Sequence, residues 1–297
     1  MPLVEIDENI YLVQGMNRGR YPYANGMLIQ DRFTALVDTG MGPEAMAEVA
    51  DNYRVDLLII SHGHEDHYAA NHLFPQARVA VHRLDAPALR SVERLVELYG
   101  AAGTETEEPL LRFLKDFFNL KASPVDLEFE DGHIFDLGTV KLKAIHTPGH
   151  SAGHCCFSVE NRGLVFLGDI DLSSFGPFYG CLDSDIDSFL ASIARIQEQG
   201  FETALSGHKE PVFGRETLWR CLEEYGQIIF EREEKLLNFL QRERSLEEIV
   251  EAALIYRRFP EPADLYALLE RNMISKHLER LLATGKIVSF GNNFMAI

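Results

Sequence analysis

The chain has 297 residues, 46% of them hydrophobic, the balance of a globular protein large enough to bury a sizeable core. Its formal net charge is −18, of which residues 1–214 carry −16 and residues 215–297 only −2, so long-range attraction to a polyanion such as nucleic acid is disfavoured. No stretch of about 18 apolar residues occurs, which excludes a membrane-spanning helix and, with no basic-apolar leader, points to a cytoplasmic protein with no membrane partner.

Residues 3–13 and 26–37 read as strands. Between them residues 14–25, rich in Gly, Asn and aromatics, form a loop able to overhang a site, with Arg18, Arg20, Tyr21 and Tyr23 as candidate substrate contacts. Asp38 ends the second strand, and Pro43 opens a helix running to about residue 53.

The apolar run 55–60 then leads into Ser61-His62-Gly63-His64-Glu65-Asp66-His67. Three imidazoles and a carboxylate where a buried strand gives way to a helix are metal-ligand chemistry. As mere structure they would crowd titratable groups without compensating partners. A short helix to residue 73 and a strand over 77–82 follow. Residues 85–120 carry two helical stripes, one through Leu89, Leu95 and Val96 and the other through Leu110, Leu114 and Phe118, expected as core and as a roof over the site.

Strands resume at 126–129, 134–135 and 140–145. The loop Thr147-Pro148-Gly149-His150-Ser151-Ala152-Gly153-His154 presents His150 on a tight backbone path. A hairpin of residues 155–159 and 164–167 delivers Asp169, a helix spans 183–199, and a strand over 204–206 ends at His208. Strand ends thus bring nitrogen or oxygen donors at positions 38, 62, 150, 169 and 208. Cys155, Cys156, Cys181 and Cys221 lack metal or redox spacing and are expected as reduced thiols, the adjacent pair facing opposite sides of a strand.

Past residue 214 the pattern turns helical: 216–242, a helix opened by the capping box Ser245-Leu246-Glu247-Glu248 and running to about 258, and 263–284, then a hairpin to 297. We expect a small C-terminal winged-helix-like domain over 215–297, serving packing or a homodimer contact.

Taken together, His62-x-His64-x-Asp66-His67, Asp38, His150, Asp169 and His208 resemble the metallo-β-lactamase superfamily, more narrowly its hydrolase branches that include glyoxalase II and lactonases. The motifs span about residues 25–212. The resemblance implies an α/β fold, a four-layer αβ/βα sandwich with metals at one edge between two sheets. It implies that His62, His64 and His150 hold one divalent ion and Asp66, His67 and His208 a second, with Asp169 bridging. Asp66 counts as the catalytic carboxylate as well as a ligand, and Asp38 as a residue that orients a ligand histidine.

Mixed nitrogen and oxygen donors suit zinc first, with iron or manganese as alternatives. The implied chemistry is dinuclear: water ionised between the cations attacks a thioester, lactone or related ester of a small-molecule substrate. Two alternatives stand beside it, a mononuclear iron persulfide dioxygenase and an RNA phosphodiesterase using the tail. Phe175, Phe178, Tyr179 and Lys209 are further candidate contacts. His72, His82, His133, His146, His154 and His277 are expected to pack or support.

Overall fold

A computed structural model describes residues 3–297 of the chain. The first sheet contains β1 (Leu3–Asp7), β2 (Ile10–Val13), β3 (Gly26–Gln30), β4 (Thr34–Val37), β5 (Leu57–Ile60), β6 (Arg78–His82) and β7 (Leu127–Phe129), hydrogen-bonded in that order. Pairing is antiparallel up to β4 and parallel from there to β7. The second sheet contains β8 (Ile134–Asp136), β9 (Lys141–His146), β10 (Cys155–Val159), β11 (Leu164–Phe166), β12 (Thr203–Leu205) and β13 (Val212–Phe213), neighbours again in sequence order. Only its β11–β12 pair is parallel.

Alternation along the strands explains the layering. Met27 and Ile29 of β3, Ile59 of β5 and Ala80 of β6 face inward onto Leu142, Phe157 and Phe166 of the second sheet. Leu28, Leu58, Ile60 and Val81 turn the other way, onto α1 (Pro43–Asn52), α3 (Ala86–Arg90), α4 (Val92–Leu98) and α5 (Glu107–Asp116); the four-residue α2 (Glu65–Tyr68) lies beside the site. On the far side Cys156 and Val165 face α6 (Ile186–Gln199) and α7 (Arg215–Phe239). Two outer helical layers and two inner sheets make the α/β sandwich. Cys155 lies in the inter-sheet core and Cys156 in the outer one, and the four cysteines are free thiols.

Several boundaries differ from the sequence reading. Strands 3–13 and 26–37 are each a hairpin, broken at Glu8-Asn9, where Asn9 has a φ of 65°, and at residues 31–33. The segment 85–120 forms three helices rather than two, because Ser91 leaves helical geometry and caps α4 through its hydroxyl. The capping box at Ser245 and Glu248 forms, opening α8 (Leu246–Glu251), but the helix stops well short of 258. There the buried carboxylate of Glu270 in α9 (Ala263–Ala283) accepts the N–H groups of Ile255 and Tyr256 and holds a loop instead.

The tail ends in a three-stranded sheet of β14 (Arg244–Ser245), β15 (Ile287–Phe290) and β16 (Asn293–Ala296), with β16 in the middle. Composition changes near residue 214, yet packing continues across it. Leu218, Leu222 and Ile229 of α7 share one core with Val165, Phe189, Met273 and Leu278. No described helix is long and apolar enough to cross a membrane.

Candidate metal centre

The donors sit at the C-terminal ends of β4, β5, β9, β11 and β12, along one rim of the sandwich. Asp38 leaves β4 with φ at 61°, a left-handed turn that Asp tolerates, and its carboxylate swings under the His62 loop to accept the N–H and hydroxyl of Ser61. Gly40 is needed because a Cβ there would overlap the carbonyl oxygen of Asp66.

Every candidate histidine is gripped at its far nitrogen. His62 Nδ1 meets Ser61 Oγ at 3.0 Å, His67 Nδ1 meets Asp38 Oδ2 at 2.8 Å, and His150 Nδ1 meets the Phe178 carbonyl at 3.0 Å. His208 Nδ1 lies 2.7 Å from the Gly19 carbonyl, and His64, turned the opposite way, sets Nε2 3.1 Å from Cys181 Sγ. These acceptors place the ring protons outside the site and leave a lone pair on each inner nitrogen.

The inner nitrogens converge. His62 Nε2, His64 Nδ1 and His150 Nε2 stand 2.8–3.1 Å from one another. Asp169 bridges to the other group: Oδ2 is 3.2 Å from His150 Nε2, while Oδ1 is 3.0 Å from His67 Nε2 and 3.3 Å from His208 Nε2. Asp66 Oδ2 is 3.4 Å from His208 Nε2. All these ligand candidates are buried or nearly so.

Five lone pairs and two carboxylates pointed inward cannot satisfy one another by hydrogen bonding. His67 Nε2 and Asp169 Oδ1 face each other at 3.0 Å without hydrogen-bond alignment and have no other such partner. That donor set, clustered on either side of Asp169, fits divalent metal. The protein field says the same of protons: burial works against charge, yet Asp169 and Asp66 push His208 up to about 10 and His67 well above its usual value. Burial and the neighbouring imidazoles hold His62 and His64 well below theirs.

Of two supporting residues, Asp85 came from outside the motifs, and His154, expected to pack or support, from the end of the His150 loop. The buried Asp85 carboxylate, three residues past β6, accepts from Gly63 N–H, Ser151 O–H and Gly153 N–H, tying the His62 loop to the His150 loop. Its signal was its place just past a strand, like the other donors. His154 accepts the backbone N–H of Asp169 at 2.9 Å and is braced by Thr147. Burial pushes its ring down to about 3, so it stays a neutral acceptor.

A cavity of about 600 Å3 opens over the donors, with His64, Asp66, His150, Asp169 and His208 in its lining. Arg20, Tyr21, Phe175, Phe178 and Lys209 also line it. Tyr99 and Leu110 close one side, as expected of the roof segment, and Tyr256, Leu265, Tyr266 and Leu269 of the tail close another. Arg18, Tyr23 and Tyr179 are not in this lining. Arg18 is exposed, Tyr23 supplies a backbone carbonyl to His208, and Tyr179 is buried between Arg232 and His277. Lys209 spends its ammonium on the Leu172 carbonyl.

Residues 21–208 match the family model of the metallo-beta-lactamase superfamily. The chain belongs to that superfamily. It is 30% identical over 241 residues to the acyl-coenzyme A thioesterase MBLAC2 of Homo sapiens, covering 73% of this chain and 78% of that one. It is 25% identical over 219 residues to an atrochrysone carboxyl ACP thioesterase of Pseudocercospora fijiensis, covering 70% and 55% of the two chains. Among solved structures, the family protein TTHA1429 of Thermus thermophilus superposes with a TM-score of 0.75 at 23% identity, over 99% of this chain and all of that one, which bears on the fold alone. The chain is therefore a hydrolase of this superfamily, with a histidine and aspartate cluster suited to divalent metal.

Proposed function

We propose that the protein is a dinuclear metal-dependent hydrolase of thioesters. The observation that carries this reading is the completeness of two donor triads about Asp169: His62, His64 and His150 on one side, Asp66, His67 and His208 on the other. Zinc suits the nitrogen-rich set best, with iron or manganese as alternatives. When bound, such a pair supplies Lewis acidity and brings the ionisation of water into the neutral range.

The chain's own residues do the rest. Asp169 and Asp66 would supply the negative charge that holds the cations; both line the cavity, and Asp66 Oδ2 lies 3.4 Å from His208 Nε2. Asp38, Ser61, Cys181 and the carbonyls of Phe178 and Gly19 fix the rings, so little reorganisation accompanies reaction. The tyrosine and phenylalanine walls exclude water from the acyl portion of the substrate.

The thioester class is favoured by the two relatives' names together with this apolar-walled cavity. Lactones and other esters share the chemistry and belong in the same panel. A mononuclear iron dioxygenase would not need the second triad. The RNA phosphodiesterase reading is disfavoured by the tail, whose residues turn into the cavity and whose Arg271 and Arg280 are paired with Glu247 and with Asp187 and Glu233. The division at residue 214, the winged-helix likeness and a homodimer contact of the tail belong to this proposal, as does the cytoplasm as its compartment, which the unpaired cysteines favour.

Metal analysis of the purified chain, coupled to a panel of acyl thioester, lactone and phosphodiester substrates, tests the reading. About two ions per chain and preference for thioesters are expected. One iron per chain with oxygen-dependent turnover would overturn it.

A further inference from the structure

Glu65 is the ionisable residue of the histidine-rich stretch that metal binding leaves unused, and it lines the cavity. The residue is 2% exposed. One carboxylate oxygen accepts the hydroxyl of Tyr21 at 3.0 Å and the other accepts that of Tyr99 at 2.7 Å. Among the described residues no Lys, Arg or His forms an ion pair with it. A carboxylate offers about four acceptor positions; the two hydroxyls and its own backbone N–H occupy three of them, which leaves about one open towards the cavity.

Burying such a group is costly unless those positions find donors. Much of the nearby cavity wall is ring and aliphatic surface, as at Phe178, Leu265 and Leu269. Tyr21 comes from the loop before β3 and Tyr99 from the end of α4, so the two hydroxyls also fix where the carboxylate points. A fixed acceptor in a largely apolar wall beside the donor cluster selects for a substrate that brings its own donor.

Building on the thioesterase reading, we propose that Glu65 is a specificity-determining acceptor for an N–H or O–H group carried by the substrate close to its scissile carbonyl. A thioester of a pantetheine arm has such a group, the amide N–H two carbons from sulfur. A hydroxyl on the acyl chain is the other source of the same chemistry.

The test pairs the zinc-loaded chain with its Glu65→Met variant, which keeps the length of the side chain and removes both acceptor oxygens. Acyl-pantetheine thioesters with the amide N–H or its N-methyl counterpart, and with or without an acyl hydroxyl, give kcat/KM ratios. Non-hydrolysable thioether analogues of each give affinities by calorimetry. The intact chain should favour the donor-bearing member of at least one pair by about 10-fold or more. In the variant that ratio should collapse towards unity while zinc content is unchanged. Which pair responds identifies the source.

Equal ratios in both proteins, loss of all substrates together, or no analogue binding would overturn the proposal and leave Glu65 as a brace between Tyr21 and Tyr99. Analogue discrimination that depends on Glu65 without any hydrolysis would keep the subsite and reject the thioesterase reading.

Discussion

Asp85 accepts the backbone N–H of Gly63 at 2.8 Å, and with the same carboxylate it takes the hydroxyl of Ser151 and the N–H of Gly153. One side chain thus sets the spacing between His64 and His150. Replacing it with Ala should weaken metal affinity by about 10- to 100-fold without removing a ligand. Competition against a chelator of known affinity measures this, and affinity equal to that of the intact chain would show that the loops hold their positions unaided.

His208 belongs to one triad, whereas Asp169 stands between the two, with Oδ2 3.2 Å from His150 Nε2 and Oδ1 3.3 Å from His208 Nε2. His208→Ala should therefore lower the metal content from about two ions to one, and Asp169→Ala should deplete both and abolish turnover. Metal analysis of the two variants separates shared from single roles. Near-normal hydrolysis by the Asp169 variant would refute the bridging assignment.

Arg232 of α7 is buried and donates to the Pro177 carbonyl and the Tyr179 hydroxyl, on the loop whose Phe178 carbonyl anchors His150. Arg232→Met keeps the volume but strands those acceptors. A loss of about 3 kcal/mol in urea unfolding is expected, since each abandoned buried partner costs roughly 1–3 kcal/mol. Hydrolysis should fall as well, because the His150 ring loses its fixed support. Unchanged stability would mean that water takes the place of the guanidinium.

His82 is buried with its ring stacked on His146 at 4.2 Å, away from the donor cluster. Burial first, then His146 and Arg83, hold it down at about 4 against an ordinary 6.5. A histidine depressed in the folded state contributes stability that is present above 6.5 and lost as pH falls towards about 4, because the unfolded chain takes up the proton first. His82→Phe removes the site while keeping a ring, so thermal stability should fall less steeply between pH 6.5 and 4 than in the intact chain. Parallel curves would assign the acid sensitivity elsewhere.

The helix ends show where local reading reached its limit. The capping box at Ser245 was legible because both partners lie within one turn, but the loop after that helix is held by Glu270 from 15 positions away. Tyr179 followed Asp169 closely enough in sequence to suggest a cavity wall, yet Arg232 and His277 draw it into the core.

What the sequence determined by itself is the donor inventory and the edge where it gathers, because ligands spaced along one short turn and at strand ends are local patterns of residue type. Only the tertiary structure decided what holds those donors and what faces them. Asp85, Glu65 and the tail wall act across tens to hundreds of positions, where a contact depends on how sheets and helices stack, and no short stretch of chain encodes it.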